Sequence, residues 1–513
     1  MLAQTCSATV IGIDAYPVEL EVNASGRGEV EMVSIVGLAD QSIRESRDRI
    51  RSALLASGLP HPRGNTVVNL APGDLRKEGA GFDLAIALGM LGATGQIPRA
   101  ELAECLILGE LALDGSVRPV RGALPIAAMA AETPRVKALL VPAANAEEAA
   151  LATQGRIPVY PVVRLSDAVA FFQGRKPQPH IGNLQEYLGG RGGYEPDFAE
   201  VKGQLAARRA MEIAAAGGHN SLMIGPPGTG KSMIARRLAG ILPPMSLDET
   251  LETSRIHSVL GLLSDGEPLL NRRPFRAPHH TVSDVALIGG GKNPRPGEIS
   301  LAHNGVLFLD ELPEFKRNVL EVLRQPLENG EITVSRAAGC CLFPARFMLV
   351  AAMNPCPCGR GAVELGCSCK IDEKKRYRKK ISGPLLDRID LHVPVLNLTD
   401  DELLGAPSGE SSAAIRDRVL AARGRQAERF AATGIYCNGQ MGPRELELHC
   451  SIAPESRLLL RQAIQKFHLS PRAHDRILKV ARTIADLAGV SGIETGHLLE
   501  AITYRTVDRA EWN

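Results

Sequence analysis

Residues 221–235 read SLMIGPPGTGKSMIA, which is an apolar strand, a glycine-rich loop with the spacing GxxxxGKS, and the start of a helix. The glycines allow backbone N–H groups to curl around phosphate oxygens, and the Lys-Ser pair suits the β- and γ-phosphates and Mg²⁺. Because strand, loop and helix follow in the order that this mechanism needs, we predict a site for ATP and Mg²⁺. The predicted nucleotide-binding residues are Gly225, Pro226, Pro227, Gly228, Thr229, Gly230, Lys231 and Ser232.

Two further apolar strands end in polar side chains. Residues 305–311, GVLFLDE, would place Asp310 in the Mg²⁺ shell and Glu311 beside the attacking water. A strand over 347–353 ends at Asn354, which either orients the water or senses the γ-phosphate, or only initiates a turn before a proline.

Arg388 lies between two acids in residues 382–390, SGPLLDRID. It forms either a structural ion pair or an arginine finger that is supplied to the ATP of a neighbouring subunit. The first alternative places it inside its own chain, and the second places it at a subunit boundary.

The chain has 513 residues, which at about 150 residues per domain favours three domains. Its 59 Lys and Arg against 57 Asp and Glu leave a formal net charge of +2, which excludes a general polycation but not a local basic surface. Aromatic residues make up 4%, so an aromatic platform for stacking bases is not expected. We therefore expect any DNA contact to be made to phosphates, sensitive to salt and largely indifferent to sequence.

Composition and periodicity divide the chain into four segments. Residues 1–172 alternate strands with helices, 173–196 form a Gly/Pro-rich linker, 197–397 carry the phosphate loop, and 398–513 have helical spacing. The first residues have a strand pattern rather than that of a signal peptide, and no apolar run reaches the roughly 20 residues that a bilayer requires. Ten cysteines without an export signal favour a reducing compartment, so we predict a cytoplasmic protein with no membrane partner.

Four of the cysteines form two CxC pairs, Cys356 with Cys358 and Cys367 with Cys369. Four thiolates on two glycine-flanked turns can complete a tetrahedral structural zinc site, with a redox disulfide and free thiols as the alternatives. The other six cysteines have no ligand spacing and are expected to be small core residues.

Residues 370–380, KIDEKKRYRKK, carry seven basic side chains in eleven positions. Such a run is either a solvated helix face or a surface that contacts phosphates. The pair His279-His280 has no Cys, Asp or Glu beside it in the sequence, so we expect it to serve a turn and its packing rather than a metal.

The order of these motifs resembles that of the AAA+ ATPases of the magnesium-chelatase and MCM-helicase branch. From about residue 2 to residue 506 the chain closely resembles the ComM/YifB family of bacterial magnesium-chelatase-like proteins. The motifs that carry the resemblance are VKGQ (201–204), GPPGTGKS (225–232), RPFRAPHHT (273–281), GEISLAHNGVLFLDELPEF (297–315), AAMNPCPCG (351–359), SGPLLDRIDLHV (382–393) and HDRILKVARTIADL (474–487).

The resemblance implies an α/β fold in three parts. These are a degenerate Lon-protease-like domain at 1–172, an AAA+ P-loop NTPase domain at 197–397 with MCM/magnesium-chelatase-type inserts, and a C-terminal helical lid at 398–513. In the first part, the position expected for the protease serine is Gly81 and the position expected for its lysine is Leu124. A Ser-Lys mechanism needs a hydroxyl and a base, so we expect a role in DNA binding or assembly instead of proteolysis.

The resemblance also implies residue roles. Groups that act across subunits imply a ring of identical chains, and the family implies a hexamer. Arg472 is either the sensor-2 arginine or a solvated arginine at the start of its helix, and Arg476 and Arg482 follow it on the same helix. The matches are Lys231 and Ser232 for Walker A, Asp310 and Glu311 for Walker B, Asn354 for sensor 1, Arg388 for the arginine finger in trans, and Arg472 for sensor 2.

Two elements resemble the inserts by which MCM-type rings reach into their pore, one over 282–299 and a hairpin over 331–347. The candidate DNA contacts on them are Lys292, Arg295 and Arg336.

Three functions remain open. The first is an ATP-driven ring that moves DNA, for which the family implies branch migration of recombination intermediates during natural transformation. The second is a magnesium-chelatase-like ATPase that remodels a partner protein and has no DNA substrate. The third is a scaffold or a protein unfoldase built on an inactive protease.

Overall fold

The computed structural model describes residues 1–25, 32–184, 187, 196–263, 267–291, 294–336, 339–361, 366–404, 409–467 and 469–510, with only the backbone of residues 336, 339, 403 and 506–510. Within these ranges, every helix is too short or too polar to cross a bilayer.

A seven-stranded mixed sheet organises the described part of residues 1–172, in the order β3-β4-β2-β1-β5-β8-β9. The neighbours β1/β2 and β2/β4 are antiparallel, and the other pairs are parallel. Two further short strands, β6 and β7, form a separate antiparallel pair. The strands of this segment are β1 Leu2–Ile11, β2 Asp14–Ala24, β3 Met32–Val36, β4 Asn65–Ala71, β5 Cys105–Ile107, β6 Glu110–Leu111, β7 Val117–Arg118, β8 Ala138–Pro142 and β9 Val159–Val162. The helices are α1 Gln41–Ala56, α2 Asp83–Ala93, α3 Ala123–Glu132, α4 Ala146–Thr153 and α5 Leu165–Phe172.

Helix α1 begins directly after Asp40. The Asp40 side chain caps it by accepting a hydrogen bond from the N–H of Ile43, and Ile43, Ile50 and Leu54 are fully buried on one face. The apolar run that follows Phe82 is α2, a short helix buried on all sides inside this segment.

A five-stranded parallel sheet organises the central segment, in the order β11-β14-β17-β10-β18. The strands of this segment are β10 Ser221–Ile224, β11 Phe275–Arg276, β12 Gly289–Gly290, β13 Arg295–Pro296, β14 Val306–Leu309, β15 Glu331–Arg336, β16 Gly339–Pro344, β17 Met348–Met353 and β18 Leu391–Pro394. The helices are α6 Leu205–Gly217, α7 Lys231–Arg237, α8 Leu247–Leu260, α9 Asp284–Ile288, α10 Glu298–Leu301, α11 Arg317–Glu321, α12 Arg324–Asn329, α13 Ile371–Arg378 and α14 Gly383–Leu386.

In the described part of the last segment, helices are joined by turns, and one isolated bridge pairs Ile452 with Ile493. Its helices are α15 Asp400–Leu404, α16 Ser412–Phe430, α17 Pro443–His449, α18 Pro454–Phe467, α19 Pro471–Ala488 and α20 Thr495–Ala510. The helical spacing of residues 398–513 is therefore confirmed in these helices.

Alternate residues of the central strands enter two different cores, as the two-residue period of a strand requires. Met223, Phe308 and Val350 face α6 and the C-terminal helices. Their neighbours Leu222 and Leu349 face α9–α12 and the hairpin β15–β16. Because a parallel sheet must be covered on both faces, the helical segment shares a core with the segment before it, across the proposed boundary at residue 397.

The predicted hairpin over 331–347 is confirmed as β15 and β16, with Arg336 opposite Gly339 at its tip. It ends at Pro344 instead of 347 because β17 joins the central sheet at Met348. In the other insert, β12 and β13 form a short antiparallel pair, and β12 packs beside β15.

Candidate functional site

The carboxyl ends of three parallel strands bring the predicted nucleotide residues together. Ile224 of β10 pairs with Met353 of β17, and Leu309 of β14 pairs with Ala351 two residues earlier in β17. The residues that follow these strands, which include Asp310 and Asn354, therefore lie at one edge of the sheet. This is the edge at which open parallel sheets bind their ligands.

The phosphate loop has the backbone that its glycines predict. Gly228 and Gly230 have φ values of 81° and 89°, which other residues rarely adopt. A Cβ atom at Gly225 would lie 2.1 Å from the carbonyl oxygen of Val395, whereas a Cβ at Gly228 would meet nothing within 4 Å. The loop therefore packs closely against Val395, the residue after β18, at Gly225, and has open space beside Gly228.

The Lys231 side chain lies inside this loop. Its Nζ donates to the carbonyls of Gly225 and Pro226 at 2.7 Å and lies 3.4 Å from Oδ1 of Asn354. Burial lowers the pKa of Lys231, while the charges of Asp310 and Glu311 raise it.

Ser232 and Asp310 are joined directly, since the serine hydroxyl donates to Oδ2 of Asp310 at 2.5 Å. A hydroxyl and a carboxylate at the end of a phosphate loop are the hard oxygen ligands that Mg²⁺ prefers. The donor set present here therefore fits Mg²⁺ bound together with the phosphates.

Glu311 has a sequence-distant neighbour that the sequence interpretation missed. Its carboxylate lies 3.4 Å from Nδ1 of His280, whose ring also meets Phe315 edge-on. Phe275 pairs with Val306, and His280 and Glu311 each lie five residues further along the chain, beyond the ends of β11 and β14. Because β11 and β14 lie side by side, the segments that follow them are neighbours, and the expectation that His280 serves only a turn and its packing is incomplete.

Arg388 lies at the opposite edge of the sheet from the phosphate loop, because it precedes β18 and Leu391 pairs with the first residue of β10. Its guanidinium is buried, donates to the carbonyl of Pro384 at 2.7 Å and forms an ion pair with Glu328. The structural ion pair, one of its two predicted roles, is therefore present. The Nε atom of Arg388 has no hydrogen-bond partner among the described residues.

The candidate sensor-2 arginine shares a cavity of about 160 Å³ with Arg388. Arg472 is exposed, while Arg476 is held by the buried Asp390 at 2.7 Å and Arg482 is buried against Asp486. Of the three arginines on this helix, Arg472 is thus the one whose side chain is exposed to solvent.

The four predicted zinc ligands converge. The Sγ atoms of Cys356, Cys358, Cys367 and Cys369 all lie within 4.8 Å of one another, and three of the distances are 3.3, 3.6 and 3.7 Å. A tetrahedral zinc with Zn–S bonds of about 2.3 Å needs sulfur atoms about 3.8 Å apart, so the cluster fits zinc. The backbone N–H of Arg360 and the neighbouring thiols lower the pKa of Cys358 to about 6.

The candidate DNA contacts are placed only in part. Arg295 is exposed at the start of β13 and Arg336 ends β15, whereas Lys292 lies outside the described residues. In the basic run, Lys374 and Arg378 donate to backbone carbonyls and Lys380 pairs with Glu314. The other basic side chains of the run, Lys370, Lys375, Arg376 and Lys379, are exposed.

The positions expected for a protease dyad hold no reactive group. Gly81 packs beside Val120, and Leu124 is fully buried in α3.

Known proteins align along nearly the whole chain. The competence protein ComM of Haemophilus influenzae is 43% identical over 515 residues, covering 99% of this chain and 98% of its own length. The chain belongs to the ComM/YifB family. Another member, YifB of Escherichia coli, is 41% identical over 507 residues, covering 97% and 96% of the two chains.

The ComM/YifB chain is built from magnesium-chelatase-like parts. The family model for magnesium chelatase, subunit ChlI, matches residues 197–403, and the model for the C-terminal part of that subunit matches 409–505. A third model, subunit ChlI of Mg-chelatase, matches 20–145. The magnesium-chelatase 38 kDa subunit of Rhodobacter capsulatus is 28% identical over 223 residues, or 40% of this chain and 57% of its own. This ComM/YifB member is therefore a magnesium-chelatase-like AAA+ ATPase.

Proposed function

We propose that the chain is the subunit of a cytoplasmic ring that couples ATP hydrolysis to movement along DNA. Its proposed task is branch migration of recombination intermediates during natural transformation or homologous recombination. The observation that carries the proposal is the split ATP site, with the phosphate loop at one edge of the central sheet and Arg388 and Arg472 at the other. The similarity to a relative named competence protein supports DNA as the substrate.

Within one subunit, the proposed roles follow from the contacts of each side chain. Lys231 exchanges the two loop carbonyls for the β- and γ-phosphates, and Ser232 with Asp310 holds Mg²⁺, which neutralises charge on the phosphate oxygens. Glu311, more than half exposed, accepts the proton of the attacking water. Asn354, beside Lys231, orients that water or contacts the γ-phosphate.

The proposed ring joins the two edges of adjacent copies. Arg388 cannot reach the ATP of its own chain, because the strand β18 separates it from the phosphate loop. A head-to-tail contact between unlike edges closes into a ring when its rotation allows, and we propose six subunits. In that ring Arg388 leaves Glu328, whose side chain is 58% exposed, and turns with Arg472 to the neighbour's triphosphate.

The proposed DNA path runs over the two inserts. Their short ladders lie side by side, which brings Arg295 and the strand end at Arg336 to one region of the subunit. Lys292 completes the proposed set. Contacts of this kind neutralise phosphates, so the affinity for DNA falls steeply with salt and depends little on base sequence.

We also propose that the four-cysteine cluster holds a structural zinc ion. Elemental analysis of freshly purified protein should find about one zinc per chain, as expected for one Cys₄ site. Its absence there would contradict the assignment.

The alternative function is ATP-driven remodelling of a partner protein without a DNA substrate. The observation that favours it is the match of three family models described for a magnesium-chelatase subunit. The two functions differ in what stimulates hydrolysis.

The test is ATP turnover measured with no addition, linear duplex DNA, forked DNA, four-way DNA and an unfolded protein. Stimulation by branched DNA supports the motor, and no response to any DNA overturns it. The variant Arg295→Ala should reduce DNA stimulation and flatten its salt dependence while basal turnover stays unchanged. The control Arg457→Ala, an exposed arginine of α18, should change neither.

A further inference from the structure

The four-cysteine cluster lies against the phosphate loop. Gly359, which follows the first CxC pair, has a φ of 83° and is buried; a Cβ atom there would lie 2.8 Å from Cδ of Pro227. Pro227 is in the middle of the GxxxxGKS motif, so the cluster and the loop touch with no room for a side chain between them.

The second CxC pair leads directly into α13, and residues in and just after this helix contact the end of β17 and the segment that follows β14. Tyr377 is buried in the same hydrophobic core as Met353, which ends β17 directly before Asn354. Lys380 pairs at 3.1 Å with Glu314, three residues after Glu311. Lys374 closes the element by donating at 2.6 Å to the carbonyl of Gly361 in the first turn.

Among the described residues, the thiols and one hydrogen bond of 3.1 Å from Arg360 to the carbonyl of Gly366 join the two turns directly. Cys356 and Cys367 are buried, but neither belongs to the hydrophobic core that packs β14 and β17. Small elements of this kind are ordered by their metal, since the free energy of metal binding is also the free energy of their folding. Loss of the metal would release the turns while the sheet beneath them stays packed.

We propose that metal in the four-cysteine cluster positions the phosphate loop and Asn354, so that metal occupancy sets the affinity of this ATPase for nucleotide. The inference rests on the proposed ATP and zinc sites. The residues Gly359 and Tyr377 are the positioning residues, because they touch the loop and the strand end and not the nucleotide.

Binding of a fluorescent ATP analogue to the full chain without DNA tests the proposal, with zinc content and thermal midpoint measured on the same samples. Cys358→Ser/Cys369→Ser should lose zinc and bind the analogue about tenfold to a hundredfold more weakly, the loss that small misplacement of a site produces. Its thermal midpoint should change little. Cys340→Ser, an exposed cysteine of the hairpin, should behave as wild type.

Two further measurements distinguish loss of the metal from misfolding of the double variant. Wild-type protein stripped by a chelator should lose affinity and regain it when zinc chloride is added. Gly359→Ala keeps all four thiols, so it should retain zinc and still bind nucleotide weakly. Gly366→Ala is the matched control, because Gly366 has a similar φ of 80° but only the Arg360 side chain nearby. This control should bind nucleotide normally.

Metal-free wild type that binds the analogue as tightly as the zinc-loaded protein would overturn the proposal. Normal binding by Gly359→Ala would contradict the contact through Pro227. If zinc-loaded wild type itself fails to bind nucleotide, the proposed function falls and this inference falls with it.

Discussion

At the scale of single residues, Asp310 and Glu311 are neighbours with different surroundings. Glu311 has a φ of 53°, in the left-handed region that few residues other than glycine adopt. The chain turns sharply at this point, so Asp310 reaches back to Ser232 while Glu311 extends toward His280 and solvent. Such a conformation is retained when a site requires it, which agrees with a role for Glu311 in handling water.

We predict that Glu311→Gln binds ATP and does not turn it over. Glutamine keeps the shape of the side chain but cannot accept the water proton, so kcat should fall by about 10²–10⁴-fold. Nucleotide binding and the steady-state ATPase rate together check this. The control is Glu321→Gln, the same exchange at a partly exposed side chain of α11, which should keep wild-type turnover. Normal ATP hydrolysis by Glu311→Gln would show that Glu311 does not accept the water proton.

We predict that His280→Ala lowers kcat about threefold to tenfold, because Glu311 loses the ring that orients it. The KM for ATP should not change, since the described contacts of His280 do not include the phosphate loop. Steady-state kinetics separates the two constants. His474→Ala, a partly exposed histidine of α19, serves as the control, and a change confined to KM would contradict a positioning role.

The residues of the phosphate loop were predictable because they are contiguous and their spacing alone defines the chemistry. His280 was not, since its partner Glu311 is distant in the sequence and meets it only through the pairing of β11 with β14. The four cysteines lie between these cases, because the two CxC pairs were visible but their convergence within 4.8 Å depends on the turns.

At the scale of elements, the direction of β18 separates the two halves of the proposed ATP site. A parallel strand has its amino end at the edge away from the ligand, and Arg388 precedes that end. Sequence reasoning found the strands that lead to the site, since each is a short apolar run followed by a polar residue. It could not decide between an ion pair and a finger for Arg388, because that depends on Glu328 at the end of α12.

We predict that Arg388→Ala and Glu311→Gln, each inactive alone, regain ATPase activity when they are mixed. In a mixed ring an Arg388→Ala subunit keeps its own phosphate loop and Glu311, and a Glu311→Gln neighbour supplies the arginine, so the site between them can turn over. Titration of one variant into the other at constant total protein, with mixing before ring assembly, measures this. Mixtures that gain no activity at any ratio would contradict action in trans.

At the scale of the whole molecule, the segments are joined more closely than their composition suggested. The N-terminal segment packs against α8. There the backbone carbonyl of Ser258 accepts a hydrogen bond from the N–H of Gly122, and the Ser258 hydroxyl donates one to the carboxylate of the buried Glu148. Burial raises the pKa of Glu148. The Gly/Pro-rich composition of the linker predicted a boundary between two domains. It could not show that the two domains contact each other, because those contacts are formed by residues far apart in the sequence.

The junction between the central sheet and the C-terminal helices leads to a prediction about pH. His219, fully buried before β10, lies 3.2 Å from Asp390 and 2.8 Å from the hydroxyl of Thr483 on α19. Burial lowers the pKa of His219 below its ordinary value of 6.5. Burial opposes the ionisation of Asp390, but the charge of Arg476 outweighs it and lowers the pKa of that carboxyl, so the pair carries a neutral imidazole and a carboxylate.

As pH falls below 6.5, the unfolded imidazole binds a proton that the folded one does not, so stability must fall with pH. This one group should therefore lower the free energy of unfolding progressively between pH 6.5 and pH 5.5. We predict that His219→Gln lowers the unfolding midpoint at pH 8 but loses part of the decline toward pH 5.5, as measured by urea unfolding. His474→Gln, a more exposed histidine of α19, should keep the wild-type slope, and an unchanged slope in His219→Gln would show that other groups govern the response.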